Sequence, residues 1–185
     1  MSLGILICGL NGCGKSTLGK ALAQELGLYF LDNEFLFFSR NHTDEPYTNP
    51  RSKEEANRIF SQEISEHENF VFAAVTGDYA SNTENLYQYA ILLEAPKEIR
   101  MERIVNRSFQ KFGERMLPGG DLHRQEDAFF QYVRNRPEDH VEKWVKRLNC
   151  PILRIDGTKP IEENIAMIRN RINQDTLASI GRNKC

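Results

Sequence analysis

The sequence carries almost no excess charge of either sign. Its 24 Lys and Arg against 26 Asp and Glu leave a formal charge of −2 over 185 residues. That balance argues against a general nucleic-acid binder, which needs a basic excess. No apolar run approaches the length of a membrane span and no leader-like pattern precedes Leu3, so neither a membrane partner nor export is expected. Cysteine is scarce. Cys8, Cys13, Cys150 and Cys185 form no C-x-x-C pair, which excludes a zinc knuckle and fits a reduced, cytoplasmic chain. His42, His67, His123 and His140 show no metal-ligand spacing, and the body of the chain holds no N-K-x-D run for guanine. Internal repeats and linkers are also missing. A content of 40% hydrophobic and 27% charged residues fits one globular domain able to bury a sizeable core.

What is present stands out near the start. Gly9-Leu10-Asn11-Gly12-Cys13-Gly14-Lys15-Ser16 fits the phosphate-loop pattern G-x-x-x-x-G-K-[ST] at every fixed position, and Thr17 follows. An apolar run of strand length, Leu3 to Cys8, precedes it. A helical pattern follows from Lys15 to Leu26, with Leu18, Ala21, Leu22 and Leu26 on one face and Gly27 at the C-cap position. The glycines let the backbone turn left-handed and approach a ligand closely. The N–H groups so freed, with the helix N-terminus, attract an anion. Residues Gly9, Asn11, Gly12, Cys13, Gly14, Lys15, Ser16 and Thr17 are therefore expected to hold a nucleoside triphosphate. Lys15 reaches the β- and γ-phosphates and Ser16 ligates Mg²⁺. Cys13 reads as a small loop residue rather than a reactive thiol.

Beyond the loop, apolar runs alternate with helical patterns. Strand candidates are Leu3–Cys8, Leu28–Leu31, Phe70–Val75, Tyr89–Leu93 and Ile152–Ile155, several of them continuous, as strands buried on both faces should be. Ser52-x-x-Glu55 is a capping box ahead of Ala56, Ile59, Phe60 and Ile64. Pro96 opens a helix through about Gln110, Pro137 a later one, and a last helix spans about 161–172 before a polar, frayed tail, 173–185. The alternation predicts an α/β fold, a parallel sheet with helices on both faces. Two excursions, Asn33–Arg51 and Ser108–His123, are candidate substrate-binding and lid segments. The domain is expected to span 1–172, with an acceptor-binding insertion at about 33–68 and a lid at about 108–123.

Arginine concentrates around the second excursion. Arg103 and Arg107 lie four apart on one helix face, with Arg100 on nearly the same stripe. Lys111 and Arg115 lie within the excursion, and Arg124, Arg134 and Arg136 follow it. Arginine suits a transferring phosphoryl group because its planar fork donates to several oxygens without losing charge. The bland alternative is a solvated face paired with Glu98, Glu102, Glu126 and Asp127.

Taken together, the phosphate loop with Thr17, the Arg103-x-x-x-Arg107 pair, the Arg124-Gln125-Glu126-Asp127 stretch and a closing arginine resemble the adenylate kinase and shikimate kinase group of small phosphate-loop kinases. The likeness runs from Leu3 to about Ile172. It implies the three-layer α/β/α P-loop NTPase fold, a five-stranded parallel sheet of order 2-3-1-4-5 with a short lid. It also implies that Arg103 lies over the adenine, that Arg107 reaches phosphate, and that Arg124 opens the far side of the lid. Arg136 or Arg134 corresponds to the later phosphate-contacting arginine. Asp156-Gly157-Thr158-Lys159-Pro160 looks like the loop whose backbone reads the adenine edge, placing Gly157 at the cofactor.

The acceptor half matches neither parent. Neither arginine that adenylate kinases carry after the second and third strands is present. Asp32-x-Glu34 is closer to the acidic D-x-D of shikimate kinases, while their glycine triplet is reduced to Thr76-Gly77-Asp78. Asp32 or Asp78 supports Mg²⁺, and Asp32 or Glu34 takes a proton from an attacking hydroxyl. The competing role for such a residue is a cap at a strand exit. Glu34, Arg58, Gly77 and Asp78 are the further acceptor-side candidates, with Arg40 and Arg51 as possible anion binders. Phe35, Leu36, Phe37 and Phe38 read as packing under the second helix. The expected function is transfer of the γ-phosphoryl group of Mg·ATP to a small acceptor by a monomer, the acceptor being a hydroxylated metabolite or a nucleoside monophosphate. The alternatives are an ATPase or nucleotide switch without such an acceptor, and a kinase of nucleic-acid ends.

Overall fold

The computed structural model describes residues 3–38, 50–79 and 85–182, with the backbone alone for 174–182. Five parallel strands, β1 (Gly4–Cys8), β2 (Tyr29–Asp32), β3 (Phe70–Ala73), β4 (Tyr89–Glu94) and β5 (Ile152–Asp156), form one sheet in the order β2-β3-β1-β4-β5. Between and around them lie α1 (Lys15–Leu26), α2 (Asn33–Phe37), α3 (Lys53–Glu66), α4 (Lys97–Phe112), α5 (His123–Asn135), α6 (His140–Val145) and α7 (Ile161–Arg182). The fold class and the strand order agree with the expectation from the sequence.

Every residue of β1 is buried, and its side chains divide between two cores. Leu6 and Cys8 point to the side of Phe60, Phe72 and Trp144, while Ile5 and Ile7 meet Leu18, Leu22, Ile91 and Ile168. A strand covered on both faces cannot alternate apolar with polar, which is why the run reads as continuous. Full burial of one such Leu or Ile contributes about 1.5–3 kcal/mol. Burial also pushes the Cys8 thiol up to about 12, so it behaves as a small apolar group.

Local signals explain the element ends. Gly27 closes α1 in the left-handed conformation with its N–H on Ala23 and Gln24 carbonyls. Ser52 and Glu55 form both halves of the capping box that starts α3. Two readings need correction. The helix after Pro137 begins only at His140, following a turn. The last helix runs on to Arg182, so residues 173–182 of the polar tail are helical. Within the span expected as a lid, α4 continues to Phe112, Gly113–Met116 form a short 3-10 helix, and α5 starts at His123. Arg115 is tied there to Asp121 at 2.7 Å and is not presented to a phosphate site in this arrangement.

The phosphate loop leaves the carboxyl end of β1, the central strand. From there the chain passes through α1 to β2 on one side, while β4 pairs on the other. Ligands of open parallel sheets bind at this kind of switch in strand order, outside the strand carboxyl ends.

Candidate active site

The loop between β1 and α1 is shaped by its own backbone. Gly12 has φ +83° and Gly14 φ +100°, left-handed values that L side chains rarely adopt. Gly12 also packs against α4: a Cβ there would lie 2.4 Å from the Arg100 carbonyl oxygen. At Gly14 the nearest atoms to a Cβ are 3.9 and 4.0 Å away, the latter the Arg103 guanidinium. Lys15 folds back over this cradle, donating from Nζ to the Leu10 carbonyl at 3.0 Å. Ser16 and Thr17 are exposed at the start of α1. Cys13 is fully buried, with its Sγ 3.9 Å from Lys15 Nζ.

Three arginines of α4 do different work. Arg100, Ile104, Ser108 and Phe112 make the buried stripe, so Arg100 does not share the exposed face of Arg103 and Arg107. Periodicity alone would keep Arg100 near Arg107, a turn pair seven residues apart; what separates them is that the Arg100 turn is covered by the phosphate loop and Glu138, while residues 103 and 107 are exposed. Arg100 is 3% exposed and grips Glu138 through both carboxylate oxygens at 2.6 and 2.8 Å. It also donates to the carbonyls of Ala95 (3.0 Å) and Asn11 (3.5 Å). It therefore positions the loop from behind. Arg103 donates to the Gly157 carbonyl at 3.0 Å, so the structure brings together two residues read separately from the sequence. The turn at Gly157 is held by Asp156, which accepts from the Thr158 N–H at 2.9 Å and from its hydroxyl. Its Gly157 N–H bonds Glu94 at 2.7 Å.

Of the two later arginines, Arg136 reaches the loop, donating to the Asn11 side chain at 2.9 Å and to Tyr132. Arg134 lies exposed on the last turn of α5. Arg124, on the first turn of α5, is also exposed and stands outside the cleft described next.

A cleft of about 300 Å³ opens beside Asn11. Its first wall is α4, with Arg107, Ser108, Lys111 and Phe112. Asn33, Glu34 and Phe38 form the second, and Gln125, Glu126 and Phe129 of α5 the third. Lys111 Nζ sits 4.0 Å from Glu34 and 5.7 Å from the centre of the Phe112 ring. Partial desolvation pulls the Lys111 ammonium below the ordinary lysine range. The carboxylates of Glu34 and Glu126 oppose that shift, and Arg107 adds to it. Tyr79 anchors this region by donating to the Asn33 side chain.

Other acceptor-side candidates sit elsewhere. Asp32 caps α2, its Oδ1 accepting from the Glu34 N–H at 2.8 Å. Arg58 is exposed on α3, away from the cleft. Arg51 is committed to the carbonyls of Phe35 (2.8 Å) and Leu36 (3.2 Å) at the end of α2, a structural role in place of anion binding. Gly77 is buried under Tyr87, whose hydroxyl a Cβ would approach to 2.8 Å. It lines packing, not the cleft. Asp78 lies 4.0 Å from Arg147. Arg40 falls outside the described residues. Leu36 is buried and Phe35 and Phe37 pack against the core, as read, but Phe38 faces the cleft.

Sequence reasoning passed over Asn11 as a shared anchor and Glu126 as a cleft residue. For Glu126 a signal existed. It falls on the apolar stripe of α5 with Phe129, Phe130 and Val133, at helical spacing, and a charge on such a stripe asks for a partner.

Comparison with known proteins agrees with this architecture. The chain is 25% identical over 185 residues to the uncharacterized protein YqaC of Bacillus subtilis (strain 168), covering 95% of this chain and 100% of that one. It is 29% identical over 113 residues to a shikimate kinase of Azobacteroides pseudotrichonymphae, covering 55% of this chain and 65% of the relative. Among solved structures, a gluconokinase from Sinorhizobium meliloti 1021 superposes with TM-score 0.51 at 14% identity, over 94% of this chain and 97% of that one. A sugar kinase from Janibacter sp. superposes with TM-score 0.53 at 14% identity, over 94% and 95%. These last two likenesses are of fold alone. Residues 5–115 match the family described as AAA domain, and the chain belongs to that family.

Proposed function

We propose that the chain is an ATP-dependent kinase of a small acceptor. The observation that carries this reading is the cleft beside the phosphate loop, walled on three sides and furnished with Arg107, Lys111 and Glu34. A charged compartment beside the phosphate loop gives an acceptor a place next to the transferring group. The shikimate kinase relative and the sugar-kinase and gluconokinase folds support the same reading.

The loop fits a nucleotide: it has left-handed backbone at Gly12 and Gly14, no close packing against Gly14, and exposed Ser16 and Thr17 at a helix N-terminus. Ser16 and Asp32 would hold Mg²⁺, which when bound neutralises phosphate charge and helps orient the transferring group. Lys15 exchanges the Leu10 carbonyl for the β- and γ-phosphates. Arg103 and the Gly157 turn border the base. Arg107 and Arg136 donate to the phosphoryl oxygens, and Arg124 joins them when the segment between α4 and α5 closes over the site. Glu34, on the cleft wall, accepts the proton of the attacking hydroxyl, with Asp32 as the competing base. The acceptor oxygen bonds to the γ-phosphorus, the bond to the bridging oxygen breaks, and ADP leaves. Exclusion of water directs transfer to the acceptor and away from hydrolysis.

A second reading, an ATPase or switch without a small acceptor, is favoured by the AAA domain match. ADP release from Mg·ATP, measured with and without pools of nucleoside monophosphates and of hydroxylated metabolites, separates the two. Stimulation by a pool is the expected result. Slow basal hydrolysis that no pool accelerates would replace the kinase with the switch.

A further inference from the structure

The cleft contains a buried carboxylate oxygen without a hydrogen-bond partner. Glu126 is 5% exposed, and its Oε2 is buried without a hydrogen-bond partner. It shares the wall with Phe129 and faces a compartment that also holds Phe38 and Phe112. A carboxylate withdrawn from water into such surroundings is costly unless a donor meets it. The α5 stripe to which it belongs would pack at least as well with an apolar residue, so folding does not explain the charge. A buried group of this kind calls for a partner, and at the wall of an open cleft a ligand can supply it.

The charges around it narrow the ligand. Arg107 and Lys111 are set against Glu34 and Glu126. Lys111 already lies 4.0 Å from Glu34. Of the acceptor-side arginines, Arg51 is tied to α2 carbonyls and Arg58 stands outside the cleft. With Arg107 given to the transferring phosphoryl group, no further cation among the described residues is set apart for a carboxylate or phosphate on the acceptor, and such a group would face Glu126. The phenylalanine walls offer apolar faces for a ring or carbon skeleton.

We infer that Glu126 is a specificity-determining residue, accepting a hydrogen bond from a hydroxyl or ammonium of the acceptor. The acceptor is accordingly neutral or cationic: a polyol, a nucleoside or an amino alcohol, and not a sugar acid or a nucleoside monophosphate. This inference rests on the kinase reading and names the substrate class of the same cleft.

The test uses the full chain and Glu126→Gln, with Mg·ATP and four pools: neutral polyols and nucleosides, amino alcohols and amino sugars, sugar acids with shikimate, and nucleoside monophosphates. One of the first two pools should stimulate ADP release. For the compound responsible, Glu126→Gln should raise acceptor KM about tenfold if the donor is a hydroxyl and about a hundredfold if it is an ammonium, the scale of losing a charge-assisted contact. KM for ATP should stay within twofold. Without ligand, Glu126→Gln should unfold at the same or higher denaturant concentration, because the substitution neutralises a buried carboxylate whose Oε2 meets no hydrogen bond. Glu126→Asp, which keeps the charge, should fall between the two proteins in acceptor KM and serves if the glutamine variant does not fold. Stimulation only by the anionic pools overturns the inference and leaves the kinase standing. So does an acceptor KM unchanged within twofold, or a loss of stability accompanied by equal damage to ATP and acceptor kinetics, which would make Glu126 a structural residue. Silence of all four pools, with nucleotide binding intact, removes the kinase reading and this inference with it.

Discussion

The two compartments of the site are built by different means. On the nucleotide side, shape comes from the main chain: left-handed glycines, the Arg100 carbonyl behind Gly12, and the Gly157 turn pinned to Glu94 and Arg103. In the cleft proposed for the acceptor, shape comes from side chains projected by α2, α4 and α5 across a gap. Backbone geometry tolerates few sequences, and side-chain walls tolerate many. The first compartment therefore carries a readable pattern and a general chemistry, while the second carries specificity and none of the familiar acceptor motifs.

That contrast can be broken most severely at Lys15. Lys15→Ala should lower turnover by about three decades or more, the scale of removing a preorganised charge from the transferring group together with its ground-state contacts. ADP release checks this, with far-UV circular dichroism to show the fold retained, and turnover within tenfold of the parent would reduce the loop to a fold feature. Arg107→Ala comes next. It belongs to the border between the compartments and should cost two to three decades in kcat, roughly the value of one such contact. A change below twofold would return it to a solvated helix face.

Gly12→Ala probes the backbone compartment alone. Left-handed backbone costs a non-glycine residue about 1–2 kcal/mol, and the Cβ would meet the Arg100 carbonyl oxygen at 2.4 Å. Nucleotide affinity should fall about a hundredfold, with thermal stability lowered as well. Titration with a fluorescent ATP analogue reads the first quantity, and an unchanged affinity would show that the loop reshapes freely. The mildest change is Asp32→Asn. Asparagine caps a helix as well as aspartate, so stability should hold while the Mg²⁺ concentration needed for half-maximal rate rises several-fold. An unaltered Mg²⁺ dependence would confine Asp32 to capping α2.

How much could be read in advance follows the same division. The runs around Leu6, Phe72 and Ile91 revealed buried parallel strands because both faces are covered, and the Ser52–Glu55 box revealed the start of α3. Arg100 was misplaced because a helix stripe can be counted from the sequence but not seen to be buried. Its packing against Glu138 depends on the turn after α5, distant along the chain. Arg51 looked like a free cation until the fold brought it under the α2 carbonyls. Glu126 was visible as an oddity on an apolar stripe, yet the lack of a hydrogen-bond partner at its Oε2 is a statement about three elements at once.

By itself, the sequence determined the alternation of strand and helix, the phosphate loop and the class of ligand that loop takes. These depend on local periodicity and on backbone conformations that only certain residues allow. The tertiary structure alone decided which arginines face the site, that Arg136 and not Arg134 meets Asn11, and that Glu126 borders the cleft beside the loop. Those outcomes depend on which helix faces which neighbour across the sheet, a relation between segments far apart in the chain that no local pattern encodes.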